Sequence, residues 1–91
     1  MIVWTRSAVN DLDALRTIAE LDPRSRGARR VMQAVSLLEK TAHLGRPGRV
    51  KGTRELVLVD VPYIVAYRVV AGTVEVLRVL HTARRWPRRL R

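Results

Sequence analysis

Arg54, Arg68, Arg78 and Arg84, together with His81, are the side chains of this chain whose types and spacing suit chemistry on a phosphate. Guanidinium groups stabilise charge that develops on phosphoryl oxygens, and a histidine or tyrosine can carry the proton. In a nuclease reading, Arg54, Arg68 and Arg84 clamp the phosphate, and His81 or Tyr67 transfers the proton. Each residue also has a structural reading. Arg68 falls opposite Glu75 in the expected strand register, and Arg54 has Glu55 beside it. A histidine closing a strand commonly hydrogen-bonds a neighbouring strand or loop, the favoured reading of His81. His43, at a helix end, reads as a cap or a solvent contact. Two isolated histidines without a carboxylate cluster make no metal site, so neither metal nor cofactor is expected.

These side chains belong to TRELVLVDVPYIVAYRVVAGTVEVLRVLHTARRWP, residues 53–87. The β-branched, apolar runs between turn residues predict three strands, about Thr53–Val59, Tyr63–Val70 and Thr73–His81. Asp60-Val61-Pro62 and Ala71-Gly72 supply the turns. A tight Ala71-Gly72 hairpin sets Val70 opposite Thr73, Arg68 opposite Glu75 and Val65 opposite Arg78. Period two then places Leu56, Leu58, Ile64, Ala66, Val70, Leu77 and Val79 on one face. Val57, Val59, Tyr63, Val65, Tyr67, Val69, Val74, Val76 and Leu80 fall on the other, with Arg78 among them. Neither face is polar, whereas a sheet with one wet face alternates apolar and polar residues. The second face therefore needs a cover: a partner chain, a second copy, or the chain's own tail. Trp86 reads as an anchor folding that tail back, with Pro87 stiffening it.

Upstream, Ile2-Val3-Trp4-Thr5 suits an edge strand, and Trp4 reads as core. Ser7 reads as the N-cap of a helix over about 8–21, whose apolar side is Ala8, Leu12, Leu15, Ile18 and Ala19. Asp22-Pro23 reads as the start of a second helix, marked by Ala28, Val31, Met32, Val35, Leu38 and Ala42. So short a connection implies an antiparallel helix pair. LGRPGRVKG, residues 44–52, reads as a basic loop. The expected fold is α+β: a short N-terminal strand, the helix pair, then a three-stranded antiparallel meander, giving a four-stranded sheet with helices on one face.

At 91 residues the chain is expected to form a single domain, 1–91, with a basic tail from about residue 82. It has no cysteine, which suits a reducing compartment, and no apolar run long enough for a membrane span. A cytoplasmic location and no membrane partner are expected. The formal charge is +10, and the last eight residues alone hold Arg84, Arg85, Arg88, Arg89 and Arg91. Such asymmetry favours a polyanion or an acidic protein as partner.

GTREL at 52–56, PYIVAYRV at 62–69, VEVLRVLH at 74–81 and RRWP at 84–87 resemble the RelE/ParE toxins of bacterial toxin–antitoxin modules, in order and spacing. The resemblance spans nearly the whole chain and implies an acidic antitoxin that holds the toxin inactive as a hetero-oligomer. The RelE-like branch comprises ribosome-dependent mRNA endonucleases, and the ParE-like branch inhibits DNA gyrase. The chain departs from the nuclease pattern at Leu56, Val57, Leu58 and Val59, where RelE-like toxins alternate lysines, and at Ile64, where they carry arginine. Removing one such transition-state donor costs ~3–4 kcal/mol. The VLH ending and the Arg-Arg-Trp-Pro tail look more like ParE. The resemblance thus implies a growth-inhibiting, plasmid-stabilising gyrase inhibitor rather than an enzyme. An mRNA endonuclease is the alternative, and a non-toxic nucleic-acid-binding module the third reading. Target contacts are expected at Arg78, His81, Arg84, Arg85 and Trp86, and antitoxin contacts at Val57, Val59, Tyr63, Val65 and Tyr67.

Overall fold

The computed structural model describes residues 1–83 together with 86 and 87. In chain order the elements are β1 (Ile2–Trp4), α1 (Arg6–Leu21), α2 (Gly27–Lys40), β2 (Arg46–Pro47), β3 (Arg54–Val57), β4 (Tyr63–Val70) and β5 (Thr73–His81). The strands form one mixed sheet in the order β1-β5-β4-β3-β2, with β1 parallel to β5 and the other neighbours antiparallel. The α+β class is as expected, with one strand more. The addition is β2, a two-residue strand inside the basic loop, where Arg46 pairs with Glu55 and Pro47 with Arg54. A proline is tolerated there because β2 is an edge strand.

The cap of α1 is Thr5, not Ser7. Its Oγ1 accepts from the Ala8 N–H at 3.1 Å and donates to the Leu77 carbonyl at 2.8 Å, while its N–H donates to the Val76 carbonyl. Pairing with β5 keeps Thr5 extended, the conformation a cap requires, so the tertiary contact decides between two hydroxyl residues. Asp22 does not start α2. It closes α1 through its own N–H to the Ile18 carbonyl, and its side chain accepts from the Arg24 N–H. That Asx turn competes with a helical cap, and α2 begins at Gly27, where a Cβ would come within 3.0 Å of the Tyr63 ring.

Both helices pack on one face of the sheet. Ala8, Leu12 and Leu15 of α1 and Val31, Ala34 and Val35 of α2 form a core with Leu58, Val65, Val76 and Val79. Leu38 of α2 extends it over Tyr67 and Val74. The opposite face carries a smaller cluster, Ala66, Leu77 and Leu80, and Trp86 packs against it. The tail's indole is thus the cover seen on the second face.

The expected face assignment is corrected at two places. Strand register holds through Val70↔Thr73 and Arg68↔Glu75, then shifts between Ala66 and Tyr67, leaving Leu77 as an extra residue on β5. Val65 therefore meets Val79 rather than Arg78, and Val79 and Leu80 exchange faces. At the β3–β4 connection Val57 pairs with Ile64 and Leu56 with Val65, which turns Leu56 toward the helices. A bulge flips every side chain beyond it, because strand side chains alternate with period two.

Candidate functional site: an open strand edge beside the C-terminal segment

β1 pairs with β5 only from Val74 to Val76, so beyond that point β5 has no strand on its outer side among the described residues. Asp11 of α1 partly closes this edge. Its carboxylate accepts from the Val79 N–H at 2.9 Å and from Arg78 Nε and Nη2 at 2.7 and 3.0 Å. An N–H turned to Asp11 is turned away from β4, and by strand alternation the His81 backbone groups face the same open side. Between α1, this edge and the C-terminal segment lies a cleft of about 490 Å³, lined in part by Asp11, Ile18, Arg78, His81 and Trp86.

Three residues expected at a target interface, Arg78, His81 and Trp86, are therefore brought to one cleft. Arg84 and Arg85 lie outside the described residues. Arg78 is held by Asp11 in a two-point ion pair. That hydrogen bond first, and the opposite charge after it, outweigh burial and raise the Arg78 pKa further. Nδ1 of His81 accepts from the Ala83 N–H at 3.0 Å, and its ring stands edge-on to Tyr63, centroids 5.5 Å apart. This is the local hydrogen bond that the structural reading assigned to a strand-closing histidine.

Among the described residues, Tyr67, Arg54 and Arg68 of the nuclease reading do not converge with His81. The Tyr67 side chain is fully buried, and its hydroxyl donates to the Ala42 carbonyl and accepts from the Gly45 N–H, both at 2.8 Å. Arg54 Nη1 donates to the Gly45 carbonyl at 2.7 Å. Arg68 pairs with Glu75. Tyr67 packs under α2, so Arg68, the next residue along the strand, points to the other face. Among the expected antitoxin contacts, Val65 and Tyr67 are wholly buried and offer no surface, because the helices cover the face on which they lie. Tyr63 is half-buried beside the cleft, Val57 is 39% exposed and Val59, in the β3–β4 turn, 95%.

Sequence reading missed Asp11 and the second ionic centre, Glu55. The Glu55 carboxylate is 3% exposed and accepts from the Arg49 N–H at 2.8 Å, Arg49 Nε at 3.2 Å and Arg46 Nη2 at 3.2 Å. Burial pushes its pKa up, but these hydrogen bonds, the Arg49 N–H foremost, outweigh it and hold the carboxyl below its ordinary value. Among the described residues no cluster of three histidine, cysteine or carboxylate side chains is placed to hold a metal ion. No helix among them is long and apolar enough to cross a membrane.

A family model described as "ParE toxin of type II toxin-antitoxin system, parDE" matches residues 2–86. The chain belongs to this ParE toxin family. Relatives agree with the membership. "Putative toxin Y4kP" of Sinorhizobium fredii is 44% identical over 89 residues, covering 94% of this chain and 92% of that protein. "Toxin RelE2" of Caulobacter vibrioides is 37% identical over 86 residues, 91% of this chain and 96% of its own length. A chain of the chromosomal ParDE toxin–antitoxin system from P. aeruginosa superposes with a TM-score of 0.64 at 28% identity, covering 88% of this chain and 92% of that one. Membership of the ParE family makes this chain the toxin component of a toxin–antitoxin pair and implies an antitoxin partner.

Proposed function

We propose that this ParE-family toxin acts in the cytoplasm as an inhibitor of DNA gyrase without chemistry of its own, until an acidic antitoxin neutralises it. The observation that carries the reading is the dispersal of Tyr67, Arg54 and Arg68, three of the residues a nuclease would use. Tyr67 and Arg68 serve opposite faces of the sheet, and the Tyr67 hydroxyl and the Arg54 guanidinium are engaged by backbone groups. General acid–base catalysis requires its groups within hydrogen-bond reach of one substrate position, and a side chain under α2 cannot share that position with one on the far face. In this reading the cleft residues Arg78, His81 and Trp86, with Arg84 and Arg85 of the tail, grip the protein target. Val57, Val59 and Tyr63 meet the antitoxin. The test is a supercoiling assay with purified toxin: inhibition that is relieved by the antitoxin is expected. Unimpaired supercoiling with toxin in molar excess over gyrase rejects the gyrase target.

The similarity to the Caulobacter protein named Toxin RelE2 supports a second reading, a ribosome-dependent mRNA endonuclease. It requires cleavage of ribosome-bound message that is lost in Arg84→Ala and His81→Ala. Growth arrest retained in both variants without message cleavage rejects it.

A further inference from the structure

Trp86 and Pro87 belong to no helix or strand, so side-chain contacts must hold this segment against the sheet. One set is apolar: the indole packs on Ala66, Leu77 and Leu80. The other is ionic in origin. The Arg49 guanidinium carbon lies 3.4 Å from the centroid of the Trp86 ring, well inside cation–π range. Arg49 does not take up that position alone. Glu55 Oε2 accepts both its backbone N–H and its Nε, which fixes the start of the side chain and the plane of the guanidinium together. Arg46 holds the other carboxylate oxygen. A continuous series of contacts therefore leads from β3, through the basic loop, to the C-terminal segment.

We propose that Glu55, Arg49 and Trp86 form a latch: the buried carboxylate presents the guanidinium, and the guanidinium clasps the indole and keeps Trp86 against the sheet. Trp86 touches two regions at once, the Ala66/Leu77/Leu80 patch on the far face and the outer wall of the cleft. Releasing it uncovers the patch and opens the cleft in the same event. The state of the cleft then depends on the loop between β2 and β3, whose residues do not line it. Arg49 is half exposed, so the clasp is reachable from solvent, whereas the carboxylate that aims it is not. The inference concerns the latch itself and holds whether the target is gyrase or the ribosome.

The experiment labels the full chain with 5-fluorotryptophan and follows its two ¹⁹F signals, assigned with Trp4→Phe. Trp4 lies by the main core and serves as the internal reference. Solvent exposure of Trp86 is read in parallel by acrylamide quenching of the Trp4→Phe chain. Arg49→Ala is expected to shift the Trp86 signal and raise its quenching constant at least about twofold, leaving the Trp4 signal in place. Glu55→Gln is expected to move Trp86 in the same direction with Arg49 intact. Arg49→Lys, which keeps a cation but loses the planar stack, is expected to fall between. A Trp86 signal as protected in Arg49→Ala and Arg49→Lys as in the parent chain overturns the latch and leaves the apolar patch as the sole anchor. Equal movement of both signals also overturns it, since that is general loosening rather than release of the latch.

Discussion

Tyr67 shows how a residue with catalytic chemistry becomes architecture. Its hydroxyl joins the carbonyl of Ala42 to the N–H of Gly45 across the exit of α2. Tyr67→Phe leaves both backbone groups without this partner, and a loss of about 1–3 kcal/mol is expected in urea unfolding. Gly45 is bound to the same arrangement from the other side. An added Cβ would meet the Tyr67 ring and hydroxyl at 2.8 Å and the Glu55 carbonyl at 2.9 Å, so Gly45→Ala should destabilise by at least ~2 kcal/mol. Glu55 carries a pH signature. Its carboxyl titrates below the ordinary value of about 4.5, so the stability it confers is complete above that value. It is lost as the pH falls through the lower, folded-state value. The stability gap between parent and Glu55→Gln should therefore be full at neutral pH and narrow in acid below about pH 4, measured by denaturant midpoints across that range.

At the scale of elements, β4 and β5 were legible to the residue. Their β-branched runs are bounded by turn residues, and Ala71-Gly72 makes the two-residue turn that sets Val70 against Thr73. Both turn residues have positive φ, 50° at Ala71 and 78° at Gly72. Alanine is poorly suited to that region, and asparagine before glycine favours it. Ala71→Asn should raise stability by about 1 kcal/mol, read as an increase of roughly 4–8 °C in Tm. What escaped the sequence reading had no local signal. The extra residue at Leu77 falls in a strand both of whose faces are largely apolar, so period two alone could not expose the shift. Thr5 and Ser7 are both competent caps, and only the contact with Leu77, distant in sequence, chooses between them. The cleft was legible in part: Arg78, His81 and Trp86 lie close along the chain and do come together. Asp11, which fixes Arg78 from α1, could not be paired with it from spacing.

For the whole molecule, a charge of +10 would make encounter with the acidic antitoxin proposed above an electrostatically steered event. The association rate should fall at least about tenfold from low salt to near-molar salt, with the dissociation rate changing much less, a split that stopped-flow mixing can resolve. The order of the sheet has a consequence for the moment of synthesis. β5 lies between β1 and β4, yet among the described strands it is the last to be translated, and residues 2–4 must wait for residues 74–76 before they pair. Contacts so distant in sequence make folding slow, and the capping of α1 by Thr5 waits with them, because Thr5 is anchored on Val76 and Leu77. A nascent chain stalled before Thr73 should therefore lack the sheet and remain open to protease. The sheet closes only once β5 is available, so an antitoxin present during synthesis is expected to meet this toxin before its sheet is complete.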